Sequence, residues 1–233
     1  MDIHVVSAFS EMVQAPLRES ILNRASQKGL VDYHFYDFRD FTTDKHHQID
    51  DYPYGGGPGM VLKPEPIIRC TDRILEKIDS GKYLIIIPTP QGETLKQSKA
   101  QYLAKYDHLI FICGHYKGID ERVFDYYSPE LISIGDYVLS SGEIATLVII
   151  DSIVRLIPGV LNDYDSATSD SFQGDLMDYP HYTRPAEYRG MSVPEVLLSG
   201  NHDKIKEWRN LKSIEKTKNK NQRESFGSGC DDE

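Results

Sequence analysis

The chain predicts an α/β domain built on a parallel sheet, followed by a smaller helical unit. Three observations carry that prediction. Short apolar runs at 3–6, 83–87, 109–113 and 131–134 alternate with segments of helical periodicity, the pattern of β-α-β units. The last three of these runs each lead into a glycine-bearing loop, at 88–93, 114–122 and 135–142. Beyond Val160 the apolar residues thin out into the acidic stretch 162–174, NDYDSATSDSFQG, before a basic end.

Taken in order, Ile3 to Val6 reads as a strand. Met12 or Val13, Leu17, Ile21 and Ala25 recur at helical spacing, so one helix is expected from Glu11, closed by Gly29. Residues 31–38 alternate Val31, Tyr33 and Phe35 against Asp32, His34 and Tyr36, a half-buried strand. Residues 41–60 are polar and irregular, and a loop of that length in a compact domain is usually functional or disordered. Pro64 and Pro66 open a helix whose buried face is Ile67, Thr71, Ile74, Leu75 and Ile78. Tyr83–Ile87, Leu109–Cys113 and Leu131–Ile134 are apolar enough to be central strands. Pro88 to Glu93 reads as a rigid turn, and residues 96–105 as a helix. Ser140 with Glu143 is a capping-box pattern before a mostly buried helix, Ile144 to Ile157, which Pro158 and Gly159 stop. Ser192 with Glu195 repeats the pattern in the C-terminal unit.

Composition removes several classes. Hydrophobic residues are 39% and charged residues 27% of the chain, a globular balance. No apolar run is long enough to span a membrane. The start, MDIHVVSAFSEM, has no basic segment of a secretory leader, and three scattered cysteines (Cys70, Cys113, Cys230) make neither a disulfide framework nor a zinc site. A cytoplasmic protein is therefore expected. The net charge of −10 argues against indiscriminate nucleic-acid binding. Lys204, Lys206, Arg209, Lys212, Lys216, Lys218, Lys220 and Arg223 nonetheless form a localised basic arm suited to a polyanion.

In open α/β sheets ligands sit beyond the carboxyl ends of the strands, so the three glycine-bearing loops should converge on one pocket. No G-x-G-x-x-G follows any strand and no Gly-Lys-Ser/Thr follows the glycine cluster, which disfavours dinucleotide and P-loop sites. His46 and His47 with Asp50 and Asp51 read as a solvated polar loop before a metal site, because adjacent side chains diverge. The motifs YGGGPGM (54–60), PTPQG (88–92), GHYKGID (114–120), SIGDYVLSSGE (133–143), PGVL (158–161), DSF (170–172) and PHYTRPAEYRG (180–190) occur together in this order. Together they resemble the bacterial tRNA (guanine-N1-)-methyltransferase family of the SPOUT class, over the chain to about Arg209.

That resemblance implies a SPOUT-type α/β sheet with a deep C-terminal trefoil knot, plus a small helical C-terminal domain. The divisions expected are a knotted S-adenosylmethionine-binding domain at 1–161, a flexible linker at 162–175 and a tRNA-binding domain at 176–233. It implies a homodimer with active sites shared between subunits, and methyl transfer to N1 of guanosine 37 of tRNA. Cofactor contacts would fall on Pro88, Thr89, Pro90, Gly92, Gly114, Tyr116, Ile134, Gly135, Asp136, Tyr137, Val138, Leu139, Ser141 and Gly142. Asp170 would be the catalytic base and Arg155 its partner. Substrate contacts would fall on His46, Asp50, Pro58, Gly59, Ser171, His181 and Arg184. Mg²⁺ is implied as a further cofactor, but Lys117 stands where the family's usual glutamate is associated with that cation. Three alternatives compete: another SPOUT RNA methyltransferase, a non-catalytic RNA-binding module, and a nucleotide hydrolase using the glycine loop. The PHYTRP and YGGGPGM segments, the Asp170–Arg155 pair and the missing Gly-Lys-Ser/Thr argue against them respectively.

Overall fold

The computed structural model describes residues 1–161 and 176–227, with side chains to 219. The expected linker at 162–175, with Asp170 and Ser171, lies outside the described residues, as do Cys230 and the side chains of Lys220 and Arg223. The chain divides into two compact units, Met1–Tyr164 and Asp165–Glu233.

The first unit is an α/β layer structure. Its elements run β1 (Asp2–Val6), α1 (Glu11–Leu17), α2 (Ser20–Gln27), β2 (Asp32–Tyr36), a 3₁₀ turn (Phe38–Phe41), β3 (Asp50–Asp51), β4 (Val61–Leu62), α3 (Pro64–Leu75), β5 (Tyr83–Thr94), α4 (Gln97–Leu103), β6 (His108–Ile112), α5 (Glu121–Tyr127), β7 (Glu130–Ser133) and α6 (Gly142–Val154). Five strands form one sheet in the order β2-β1-β6-β5-β7, and every pairing is parallel. Parallel strands need crossovers, which place helices on both faces. Alternation along each strand then feeds two cores. Ile3, Val5, Leu109, Phe111 and Ile86 join residues of α1, α2, α4 and α6 on one face. Val6, Ile110, Ile112, Ile85 and Ile87 join α3, Phe38 and Val123 on the other. No described helix is long and apolar enough to cross a membrane.

Several local expectations are corrected. The single helix expected from Glu11 is two, α1 and α2, broken after Leu17. Pro16 inside α1 lacks the amide that would continue the ladder, and Ser20 restarts the chain at φ 52°. Pro88 to Glu93 is an excursion within β5, since the strand re-pairs with β7 at Glu93. Leu131–Ile134 overlaps β7 (Glu130–Ser133), an edge strand rather than a central one; helices cover both its faces, so it reads as apolar as an interior strand. Helix α5 has no counterpart among the expected elements. Neither capping box forms. The cap of α6 is Ser141 with no side-chain bond, and Glu143 turns inward. Ser192 lies in a strand, leaving Pro194 ahead of the next helix.

The second unit holds a two-stranded antiparallel hairpin, β8 (Glu187–Tyr188) with β9 (Met191–Ser192), a short α7 (Glu195–Leu198) and a long α8 (His202–Gly227). Lys204, Lys206, Arg209, Lys216 and Lys218 are exposed on α8.

At the amino ends of β1, β2 and β6 the α3 side of the sheet carries a polar cluster. The His4 ring stacks on His34 at 4.8 Å and lies 5.8 Å from the His108 ring. Asp2 accepts from His34 at 2.8 Å and lies 3.7 Å from His108 Nδ1. Tyr36 OH is 3.4 Å from His4 Nδ1. Burial, then the neighbouring His34, push the His4 pKa from 6.5 down to about 4, with Asp2 opposing and His108 and Lys77 adding to the depression. His4 is therefore held neutral by the fold. Its contribution to stability is complete above pH 6.5 and is lost as pH falls toward 4, by at most about 3 kcal/mol. The variant His4→Gln should flatten this acid limb. Urea unfolding at pH 7.5, 5.5 and 4.5 checks it, and parallel losses in both proteins would acquit His4.

Candidate active site

Three loops leave the carboxyl ends of β5, β6 and β7, and each is shaped by a close backbone approach. In β5, Pro88 and Glu93 both face Ile132, so residues 89–92 bulge out of the ladder. Gly92 makes that re-entry possible: a Cβ there would lie 2.4 Å from both Ile132 N and Leu131 C. After β7, Gly135 turns at φ 145°, and the Tyr137 ring fills the space a Cβ would take, 2.5 Å away. The Tyr137 hydroxyl donates to Ile134 O at 3.2 Å, closing that turn.

The β6 and β7 loops are joined directly. Gly142 N donates to Gly114 O at 2.8 Å, and His115 bridges Ser141 in antiparallel fashion. A Cβ on Gly142 would stand 2.9 Å from Gly114 N. The β6 loop also holds the glycine-rich segment: Lys117 N donates to Met60 O at 3.1 Å and Leu62 N to Gly118 O at 3.0 Å. The Lys117 stem lies flat on Gly59.

A cavity of about 320 Å³ lies between these loops. Of the residues expected to contact a cofactor, Pro88, Thr89, Pro90, Gly114, Tyr116, Ile134, Gly135, Tyr137, Val138, Leu139, Ser141 and Gly142 line it. Gly92 and Asp136 do not: Gly92 backs onto β7, and Asp136 is an exposed turn residue. Sequence reasoning missed the wall contributions of Gln91, His115, Ile119, Phe124, Ile132 and Ala145. His115 and Ile119 lay inside a recognised motif, whereas Phe124 belongs to the unexpected α5.

The electrostatics are sparse. Lys117 is the one charged side chain among the described residues of the wall. Behind the wall, Glu143 is 1% exposed and accepts from Ser7 Oγ at 2.5 Å. Among the described residues its Oε2, His115 Nδ1 and Ser141 Oγ are buried without a hydrogen-bond partner. Burial, then Glu143, push the Cys113 thiol far above its ordinary range, so it is a core group and no nucleophile. Burial and Asp50 raise the Tyr116 phenol.

The other expected residues fall in separate places. Asp50 begins the β3–β4 ladder and interacts with Tyr116, which brings it to the cavity's edge. Pro58 and Gly59 are exposed in the glycine-rich loop, and His46 is exposed ahead of it. His181 and Arg184 belong to the second unit, where His181 pairs with Asp178 at 2.7 Å. Arg155 caps the far end of α6, about 20 Å from Gly142 at 1.5 Å per residue. Among the described residues no group of three or more His, Cys, Asp or Glu converges to hold a metal.

A parallel sheet whose strand-end loops gather on one cavity is the architecture of a ligand-binding α/β protein. A family model described as tRNA (guanine-1)-methyltransferase TrmD matches residues 1–225. The chain belongs to that family. It is similar to proteins named tRNA (guanine-N(1)-)-methyltransferase from Carboxydothermus hydrogenoformans (53% identity, 92% of this chain and 83% of the relative) and Anoxybacillus flavithermus (51%, 93% and 88%). A third, from Dehalococcoides mccartyi, is 51% identical over 93% of this chain and 87% of its own.

The Gly92 contact generates a prediction. Gly92→Ala should force β5 off β7 and cost about 2 kcal/mol or more, as overpacking against backbone does. Denaturant unfolding followed by circular dichroism reads this, and an unchanged midpoint would show that the bulge tolerates a methyl group.

Proposed function

We propose that this protein transfers a methyl group from S-adenosylmethionine to N1 of guanosine 37 of tRNA, where another guanosine precedes it. The observation that carries the proposal is the gathering of the three strand-end loops on one cavity, in a chain of this family. The residues present fit the cofactor: apolar walls from Ile134, Val138 and Leu139, the Tyr137 ring, glycines that admit close approach, and buried polar atoms still lacking partners. Pro90, Ile134, Gly135, Tyr137, Leu139 and Gly142 would hold it. S-adenosylmethionine supplies, when bound, an activated methyl group on a sulfonium centre.

Guanine N1 carries a proton at neutral pH and is a weak nucleophile. A carboxylate assigned to Asp170 takes that proton, and positioned bases of this kind contribute roughly 10²–10⁴-fold. Negative charge then spreads to O6, where the Arg155 guanidinium stabilises it. The target base must leave its stack to be reached, with Pro58 and Gly59 receiving it. His46 and Asp50 read the preceding guanosine, while Ser171, His181 and Arg184 contact the tRNA. The residues do not fit a Mg²⁺ ion at the wall, because its one charged described group is the Lys117 ammonium; no step is assigned to a metal.

The separation of Arg155 from Gly142 supports a homodimer in which one chain's cavity is completed by its partner's Arg155. Ile144 and Val148, exposed on α6, supply an apolar face for that contact. The seam between the β6 and β7 loops supports the reading of a knotted C-terminal part in the first unit. The exposed lysines of α8 support tRNA binding by the second. The cytoplasm is the assigned compartment.

Transcripts carrying guanosine at positions 36 and 37 should accept labelled methyl groups, and the adenosine-37 version should not. Equal transfer to both would defeat the assigned target. Asp170→Ala should abolish turnover while cofactor binding by calorimetry survives; a matching collapse of affinity would make Asp170 structural. Arg155→Ala mixed with Gly142→Val, which blocks the cavity, should regain activity if sites are shared. A mixture as inactive as its parents would place Arg155 with its own chain's cavity.

A further inference from the structure

The second unit carries its own concavity of about 420 Å³, lined by Tyr182, Arg184, Pro185, Tyr188 and Met191 among others. Tyr182 is 50% exposed, Tyr188 56% and Met191 66%. Side chains this exposed are not core residues. Folding leaves them on the surface, next to a guanidinium, at a hairpin whose strands are two residues each. Arg189 stacks over Tyr188 at 5.3 Å, and Arg209 of α8 over Tyr179 at 4.7 Å. Between 176 and 219 this unit has eight basic and six acidic side chains, within a chain of net charge −10. Its concavity is therefore aromatic, lined by the Arg184 guanidinium, bordered by Arg189 on Tyr188, and set in the basic part of an acidic protein.

Those features match one ligand chemistry. Unstacked nucleobases bind on aromatic rings and guanidinium planes, while neighbouring lysines track the phosphates. A protein partner would need a larger dry patch than this one supplies. We propose that the pocket of Tyr182, Arg184, Tyr188 and Met191 takes a further unstacked nucleobase of the RNA substrate, distinct from the base to be methylated and from the guanosine that precedes it. The inference rests on the tRNA reading above and extends it: the second unit grips an unpaired base by stacking, in addition to attracting the phosphate backbone.

The chain's single tryptophan gives a direct reporter, because Trp208 lies 6.3 Å from the Tyr182 ring. A stem–loop transcript with the anticodon loop unpaired should quench Trp208 emission in the full-length protein, and a fully paired duplex of equal length should not. Tyr188→Leu should weaken stem–loop binding about tenfold, within the range for one lost base stack, and leave the salt dependence of binding unchanged. Tyr188→Phe should bind like wild type, because stacking needs the ring and not the hydroxyl. Lys204→Gln, by contrast, should lower the salt slope. Wild-type affinity in Tyr188→Leu, or equal quenching by loop and duplex, would overturn the pocket. Methylation of the same stem–loop is followed in parallel. Quenching without methylation would sustain the pocket and overturn the enzymatic reading, whereas methylation with unchanged Tyr188→Leu binding would overturn the pocket alone.

Discussion

The interaction on which the site depends is the hydrogen bond from Gly142 N to Gly114 O, made where no side chain has room. It docks the first residue of α6 onto the loop that leaves β6. Two neighbouring contacts extend it: the His115–Ser141 bridge, and the Leu62 and Lys117 amides that tie the β6 loop to the glycine-rich segment. Segments far apart in sequence thus share one rigid frame. Shape, rather than charge, defines the cavity between them, since its wall is apolar and backbone-rich with a single ammonium among its described residues.

The sheet separates two kinds of polar chemistry. At the carboxyl ends of the strands, the buried atoms of His115, Ser141 and Glu143 keep unused hydrogen-bonding capacity, which suits a ligand. At the amino ends, His4, His34, His108 and Asp2 largely satisfy one another, and burial keeps His4 neutral. His115 and Ser141 border the cavity, with Glu143 behind its wall, whereas the His4 cluster lies on the α3 side at the opposite strand ends. Titratable residues that satisfy one another thus differ from polar atoms left without partners beside a cavity.

Much of this was legible from the residues, and the exceptions are instructive. The apolar runs of β1, β5 and β6 were plain because their two faces are buried in two cores. β7 looked like a central strand for the same reason, since coverage by helices and not position in the sheet determines composition. The break between α1 and α2 had a visible cause in Pro16, outweighed by helical periodicity that continues in phase across the gap. Helix α5 escaped because its one fully buried residue is Val123, too little to produce a periodic pattern. The capping-box pattern at Ser140 failed because Glu143 found Ser7, just past the end of β1, a partner no local pattern contains.

By itself, the sequence determined the parallel α/β architecture, the three glycine-bearing loops at strand ends, the change of character after Val160 and the family to which the chain belongs. These depend on local periodicity, on residues with special backbone freedom and on motif order, all of which are properties of the one-dimensional chain. Tertiary structure alone decided that residues 89–92 bulge from a continuous strand, that Phe124 and His115 wall the cavity while Asp136 does not, and that Arg155 ends about 20 Å from Gly142. Those outcomes turn on register, on clearances of a few tenths of an ångström and on the length of a helix in space. No local pattern encodes such distances, because they are set by how distant segments pack.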